Sequence, residues 1–244
     1  MAGHSKWANI KRRKESQDAK KTKVYSRILR EITAAVKLGN SEDPTKNARL
    51  RLAIQNAKAA NIPKDNIERA VKKGGGQHEE HYLEVQYEGY GPGGVAILVE
   101  GMTNNLNRTV ANIRAIFNKY GGSLAKKGSI DHLFDHQGYF MINQKTLKLA
   151  VEELSLAWIE SGVEDIIEEK EWLTLLTSFH NFGNVQTKLE EQEIAVHKAY
   201  TLYTAHSMTM LQKRHQEKTK QLLQALEDDD DIQHVYHNLS EEID

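Results

Sequence analysis

The chain has 244 residues, 39 % of them hydrophobic, a formal net charge of −1 and no cysteine. That length holds two or three domains with real cores. The missing thiols exclude disulfides, thiolate metal sites and a cysteine nucleophile. The near-neutral total conceals an asymmetry. Residues 1–76 carry 19 Lys plus Arg against 7 Asp plus Glu, a net of +12, and the other 168 carry 14 against 27, a net of −13. A compact positive module on a negative body is the electrostatic footprint of a protein that docks one end on a polyanion, most simply a nucleic acid. The first residues lack the apolar stretch of a signal peptide, and no apolar run approaches the roughly 20 residues of a membrane helix. A soluble, cytoplasmic protein is expected.

In chain order, the first block reads as all-helical. Lys6 to Lys14 is a polar, basic surface helix. From Thr22 the pattern turns amphipathic, with Val24, Ile28, Ile32, Ala35 and Val36 on one stripe and Lys23, Arg27 and Arg30 off it. Gly39 and Asn40 stop that helix. A third runs from about Asn47 to Ala60, with Leu50, Ala53, Ile54 and Ala57 inward and Arg49, Arg51 and Lys58 outward. Pro63 opens a fourth, built on Ile67, Ala70 and Val71, whose Asp65 and whose Lys72 and Lys73 suit the helix dipole. Gly74, Gly75 and Gly76 are expected to end it and form a flexible joint.

The second block starts near Tyr82. Leu83, Val85 and Tyr87 alternate with Glu84, Gln86 and Glu88, a half-buried strand. After the turn Gly89–Gly94, Val95 to Val99 is a continuous apolar strand. Asn104, Asn105 and Asn107 supply caps for a helix with Val110, Ile113, Phe117 and Tyr120 inward. The third block, from about Gly138, reads strand, helix, strand, strand, helix, strand: Tyr139–Ile142, a helix through Leu154 and Trp158, residues 163–169 and 171–177, a helix to Gln192, and Ile194–Ala199. That order is ferredoxin-like. A helix through Leu222, Leu223 and Leu226 then leads past Asp228–Asp231 into a strand at Ile232–His237, which is placed to complete the second block's sheet. The expected fold class is α+β: a basic helical bundle over 1–76, an α/β domain over 77–134 plus 205–244, and a ferredoxin-like α/β domain over 135–204 inserted in it.

The residues expected to contact nucleic acid are Lys6, Lys11, Arg12, Arg13, Lys14, Lys20, Lys21, Lys23, Arg27, Arg30, Arg49, Arg51, Lys58, Lys64, Arg69, Lys72 and Lys73. Such density of charge repels itself unless something anionic relieves it, either an external polyanion or the acidic body. Lys and Arg suit phosphates better than base edges. Trp7 can stack on a base or pack under the first helix, and packing is the favoured reading. Gly89–Gly94 lacks the Gly-Lys-Ser/Thr ending of a P-loop and reads as a turn. His78-Glu79-Glu80-His81 reads as a solvated linker. His132 and His136 fall in a segment, Ser129 to Phe134 and beyond, that reads as a strand, which would hold them apart. Asp228–Asp231 lacks the alternating ligands of a calcium loop. No nucleophile elbow and no His-Glu-x-x-His motif is present. No enzyme activity, metal or cofactor is expected.

Several stretches carry a resemblance: Met-Ala-Gly-His-Ser-Lys-Trp-Ala-Asn-Ile-Lys at 1–11, Arg-Leu-Arg-Leu-Ala-Ile at 49–54 and Pro-Lys-Asp-Asn-Ile-Glu-Arg-Ala at 63–70. Tyr-Glu-Gly-Tyr-Gly-Pro-Gly-Gly-Val-Ala at 87–96, Asn-Arg-Thr-Val-Ala at 107–111 and Leu-Glu-Asp-Asp-Asp-Asp at 226–231 extend it. On these the chain resembles the YebC/PmpR family, whose bacterial members are named transcriptional regulators and whose mitochondrial relative is the translational activator of cytochrome c oxidase. Residues 138–212 match least. The resemblance implies three domains, a nucleic-acid-related regulator and no enzyme. Two roles follow from it: binding promoter DNA, or acting on the ribosome, through ribosomal RNA. The acidic body is a candidate surface for protein partners.

Overall fold

A computed structural model describes residues 21–76 and 82–240. The basic helix expected near Lys6–Lys14, Trp7 and the His78–His81 run lie outside these. The helical unit comprises α1 (Lys21–Leu38), α2 (Ala48–Ala59) and α3 (Lys64–Gly75). Ile32, Ala35, Val36, Leu50, Ala53, Ala57, Ile67 and Ala70 interlock as its core. Asn47 ties two helices together. Its Oδ1 accepts the Leu50 N–H at 3.0 Å and so caps α2, while its Nδ2 donates to the Ala35 carbonyl at 2.8 Å at the end of α1.

The expected joint at Gly74–Gly76 is corrected: Gly74 and Gly75 are the last turn of α3. Gly74 is buried, and a Cβ there would lie 2.6 Å from the Val36 Cβ and 2.8 Å from the Thr33 carbonyl. The glycine is required by the close crossing of α3 over α1, where any side chain would wedge the helices apart.

Beyond Tyr82 come β1 (Leu83–Tyr90), β2 (Ala96–Thr103), α4 (Leu106–Lys119) and β3 (Ser123–Leu124). There follow β4 (Phe134–Asn143), α5 (Val151–Glu160), β5 (Val163–Glu169), β6 (Trp172–Ser178), α6 (Phe182–Glu191) and β7 (Val196–Ala205). The chain closes with α7 (Lys213–Asp228) and β8 (Ile232–His237). The strands form two four-stranded antiparallel sheets, ordered β3-β1-β2-β8 and β5-β6-β4-β7. The whole second sheet is threaded between β3 and β8 of the first, and its strand order is that of a ferredoxin-like unit inserted in another α/β unit. The fold is α+β.

In the first sheet, α4 and α7 cover one face through Ile113, Phe117, Leu222, Leu223 and Leu226, packed on Val95, Ile97 and Val99. Ala96 and Leu98 point the other way, against Phe134 and Ala205 at the ends of β4 and β7. That double burial is why β2 reads as an unbroken apolar run. In the second sheet Trp158, fully buried, packs with Phe140, Leu173, Leu175, Val185 and Leu189. Its indole N–H donates to Gln192 Oε1 at 2.8 Å.

Three local expectations are corrected. Glu88, placed on the polar side of its strand, is buried. Its carboxylate accepts the N–H groups of Gly128 at 2.5 Å and Ile130 at 2.7 Å. That clamp folds residues 128–130 over β1, so Ser129–Phe134 is not a strand: residues 131–133 form a 3-10 turn and β4 begins at Phe134. The strands β4 and β7 are also longer than Tyr139–Ile142 and Ile194–Ala199, because each pairs with the other along nearly its whole length.

Candidate nucleic-acid interface

The basic residues of the helical unit divide into two groups. The first group faces the body. Arg27 lies in the seam between α1 and the end of α7, where its NH2 group donates to the Glu227 carbonyl at 3.0 Å. Its Nε is buried with no partner. Burial lowers the basicity of this guanidinium, and the nearby Glu227 and Asp228 oppose that shift. Arg30 donates to the Asp230 carbonyl. Arg49 pairs with Glu84 on β1. Arg51 forms a bidentate pair with Glu190 on α6 at 3.0 and 3.1 Å, and donates to the Pro44 carbonyl at 2.8 Å. These four arginines, expected as nucleic-acid contacts, each make a contact with the body.

Uncharged contacts complete the docking. Asn56 donates to the Ala199 carbonyl at 2.7 Å and accepts the Ala199 N–H at 3.2 Å, pairing with β7 as a neighbouring strand would. Gln55 donates to the Val196 carbonyl. Leu52 packs against the core of the inserted unit.

The second group faces outward. Lys58 on α2 and Lys64, Arg69, Lys72 and Lys73 on α3 are exposed. Lys64 makes only a one-turn pair with Glu68 at 3.5 Å, and Arg69 donates to Asn66 Oδ1 and the Asp65 carbonyl on its own helix. Exposed pairs of this kind contribute little, roughly 0–1 kcal/mol, and leave the charge available. Lys73 lies 6.0 Å from the ring centre of Tyr82, which also draws Arg30 to 5.9 Å. Lys23 is half-buried and has a partner. Lys21 lies in α1, and Lys6, Lys11, Arg12, Arg13, Lys14 and Lys20 precede the described residues.

Two carboxylates escaped sequence reasoning. Asp231, in the acidic run before β8, receives Arg108 at 2.8 Å, the Thr109 hydroxyl at 2.7 Å and the Thr103 hydroxyl at 3.2 Å. Burial alone would raise its pKa, but these donors outweigh it and hold the carboxyl below its usual range. It staples β8 to the end of β2 and the start of α4. Glu100 on β2 is pushed up to about 7 by burial, against a hydrogen bond from Tyr236 and with Glu84 and Glu31 adding repulsion. Neither residue type nor spacing distinguishes these two acids from their solvated neighbours. Of the two histidines weighed as ligands, His132 is exposed in the 3-10 turn. His136 is stacked between Phe179 and Tyr203 at 4.0 and 4.2 Å. Among the described residues no group of three or more His, Asp or Glu side chains is placed to hold a metal, and no helix is long and apolar enough to cross a membrane.

Comparison with known proteins matches two family models: the TACO1/YebC N-terminal domain over residues 5–77 and the TACO1/YebC second and third domain over residues 82–239. A protein of Amoebophilus asiaticus named "Probable transcriptional regulatory protein" is 48 % identical, with 98 % of each chain covered. One of Geobacillus thermodenitrificans with the same name is 44 % identical over all of this chain and 98 % of its own. The crystal structure of a conserved hypothetical protein from Aquifex aeolicus superposes with a TM-score of 0.73 at 39 % identity, covering 91 % of both chains.

Proposed function

Because the chain belongs to the TACO1/YebC family, we propose that it is a regulatory protein that binds DNA by docking its basic helical unit on the phosphate backbone. One observation carries this reading. Arg49 and Arg51 pair with carboxylates of the body and Arg27 and Arg30 donate to its carbonyls, yet Lys58, Lys64, Lys72 and Lys73 stay exposed and outward. Positive charge beyond what the body takes up calls for an external polyanion. The relatives' name supports regulation of transcription. The lysines on α3 act as point charges on phosphates, which positions a protein without reading sequence. That chemistry serves ribosomal RNA equally, so ribosome association is the second reading, and the outward lysines favour it no less than DNA.

The test is a salt titration of binding to duplex DNA and to purified ribosomes. It compares the intact protein with a Lys64→Gln, Lys72→Gln, Lys73→Gln variant and a Lys11→Gln, Arg12→Gln, Arg13→Gln, Lys14→Gln variant. Removing one phosphate contact should flatten the slope of log K against log salt by roughly one unit. Tight, sequence-dependent DNA binding makes the protein a transcriptional regulator. Tight ribosome binding that survives moderate salt, with weak DNA binding, makes it a translation factor. Unchanged affinity and slope in both variants, for both targets, overturns docking through the helical unit.

A further inference from the structure

The α/β unit that carries the first sheet has two ends of opposite charge. At one end lie Glu84, Glu227 and Asp228–Asp231; there the Glu84 carboxylate and the carbonyls of Glu227 and Asp230 receive Arg49, Arg27 and Arg30 of the helical unit. The other end is built of glycine turns. The Gly91–Gly94 turn packs against the start of α7: a Cβ on Gly93 would meet Leu211 at 2.4 Å and His215 at 3.6 Å, and Thr219 donates to the Pro92 carbonyl at 3.4 Å. The turn after α4 closes on the same place, since a Cβ on Gly122 would lie 2.6 Å from the Tyr90 carbonyl and 3.2 Å from Leu222. The Lys126-Lys127-Gly128 loop is fixed there by the Glu88 carboxylate and by the Ala125 N–H donating to the Glu88 carbonyl at 2.7 Å.

Around this end stand Lys126, Lys127, Lys213, Arg214 and Lys218, all exposed, on a body whose remaining charge is dominated by acids. None of the five belongs to an ion pair among the described residues. The charges of α7 run against its own dipole. Its first turn has no acid and two bases, its last turn no base and Glu227 and Asp228. Helix stability therefore does not account for them. Glu227 and Asp228 at its C-terminal end lie near Arg27 of the helical unit; the bases at its other end have no acidic partner among the described residues.

We infer that this glycine-lined basic end is a second polyanion-binding surface, taking the phosphodiester backbone of a nucleic acid at a point remote from the helical unit. With 16 residues α7 is about 24 Å long, so this basic end lies a helix length away from the seam where Arg27 reaches Glu227. Glu88 holds the backbone of the loop that carries Lys126 and Lys127, which lowers the entropy cost of binding. Tyr90, 36 % exposed at the same end, offers a ring to an unpaired base.

The inference rests on the nucleic-acid reading but not on the helical unit as its site, and the experiment separates the two. A Lys126→Gln, Lys127→Gln, Lys213→Gln, Lys218→Gln variant of the full chain is titrated with salt against a mixed-sequence DNA duplex and a structured RNA hairpin, beside the α3 variant above. Its circular dichroism and melting temperature should match the parent, because the four side chains are exposed. The expected result is weaker binding and a slope flatter by up to about four units on whichever nucleic acid binds, with the greatest weakening when both sets are combined. The DNA and RNA arms show which backbone it takes. Unchanged affinity and slope for the four-lysine variant, with the α3 variant impaired, overturns the second surface and keeps the first. The reverse keeps the second surface and overturns the first. Polyglutamate competing as strongly as nucleic acid at equal charge also overturns the inference, in favour of an acidic protein partner.

Discussion

Arg27, Arg30, Arg49 and Arg51 come from the same basic stretch of sequence as Lys58, Lys64, Lys72 and Lys73, yet the two groups have opposite fates. The arginines of α1 and α2 reach carbonyls and carboxylates of both α/β units; the lysines of α2 and α3 reach solvent. Residue type follows role among these eight, although Arg69 also stays outward on α3. A planar guanidinium satisfies several acceptors at once and tolerates burial, whereas an ammonium prefers to stay hydrated. Net charge therefore locates an electropositive module without telling which of its charges remain for a partner.

The largest effect expected is at Asp231, in the acidic run beside the carbonyls that receive Arg27 and Arg30. Asp231→Ala leaves Arg108 and the Thr103 and Thr109 hydroxyls without their acceptor and should destabilise the protein by about 3 kcal/mol in urea unfolding. Because the native pKa of Asp231 lies below its unfolded value, its stabilisation is present at neutral pH and disappears as pH falls through the native value. The parent should therefore lose stability in acid more steeply than the variant.

Glu100 sharpens the comparison from the opposite direction. Its native pKa of about 7 is above the ordinary 4.5, so the stabilisation of its protonated form is complete below the unfolded value and disappears as pH rises to about 7. Glu100→Gln should leave stability at pH 4 nearly unchanged. At pH 8 it should raise stability by up to about 3 kcal/mol, because each tenfold change in proton affinity is worth about 1.4 kcal/mol. A flat difference between the two proteins from pH 4 to pH 8 contradicts this.

The smallest effects test the two charge groups directly. Arg27→Ala empties part of the α1–α7 seam and should lower stability by about 1–2 kcal/mol. Lys72→Ala should change it by less than about 0.5 kcal/mol while weakening nucleic-acid binding. Equal destabilisation of the two variants in thermal unfolding would erase the distinction between docked and outward charge.

Much of the fold is legible in the sequence because local and tertiary signals agree. The apolar stripe of α1, the caps Asn47 and Asn105, the alternating helices and strands from 138 to 199 and the strand after Asp231 all lie where periodicity places them. The misreadings share one cause, a contact from distant sequence. Glu88 reads as solvated because nothing local announces that Gly128 and Ile130 will bring their N–H groups to it. Gly74 and Gly75 read as a joint because the close approach of Val36 is invisible in the α3 sequence. For the candidate site, charge density marks the helical unit, but the division between docked and outward residues depends on Glu84, Glu190 and the carbonyls of Glu227 and Asp230, up to 200 positions away. The Lys213–Lys218 run is readable as a basic island in acidic sequence; its glycine-turn setting is not.

The pairing of Asn56 with Ala199 also bears on solubility. Strand β7 is an outer strand of its sheet, and an open edge of that kind is a template for another chain's strand. The opposite outer strand, β5, defends itself with Glu164, Asp165, Glu168 and Glu169. On β7 the defence comes from α2, which lies over the edge with Gln55 and Asn56 answering its backbone. The helical unit thus shields the inserted sheet from aggregation. Severing α2 from β7 should make the protein self-associate through that edge before it unfolds.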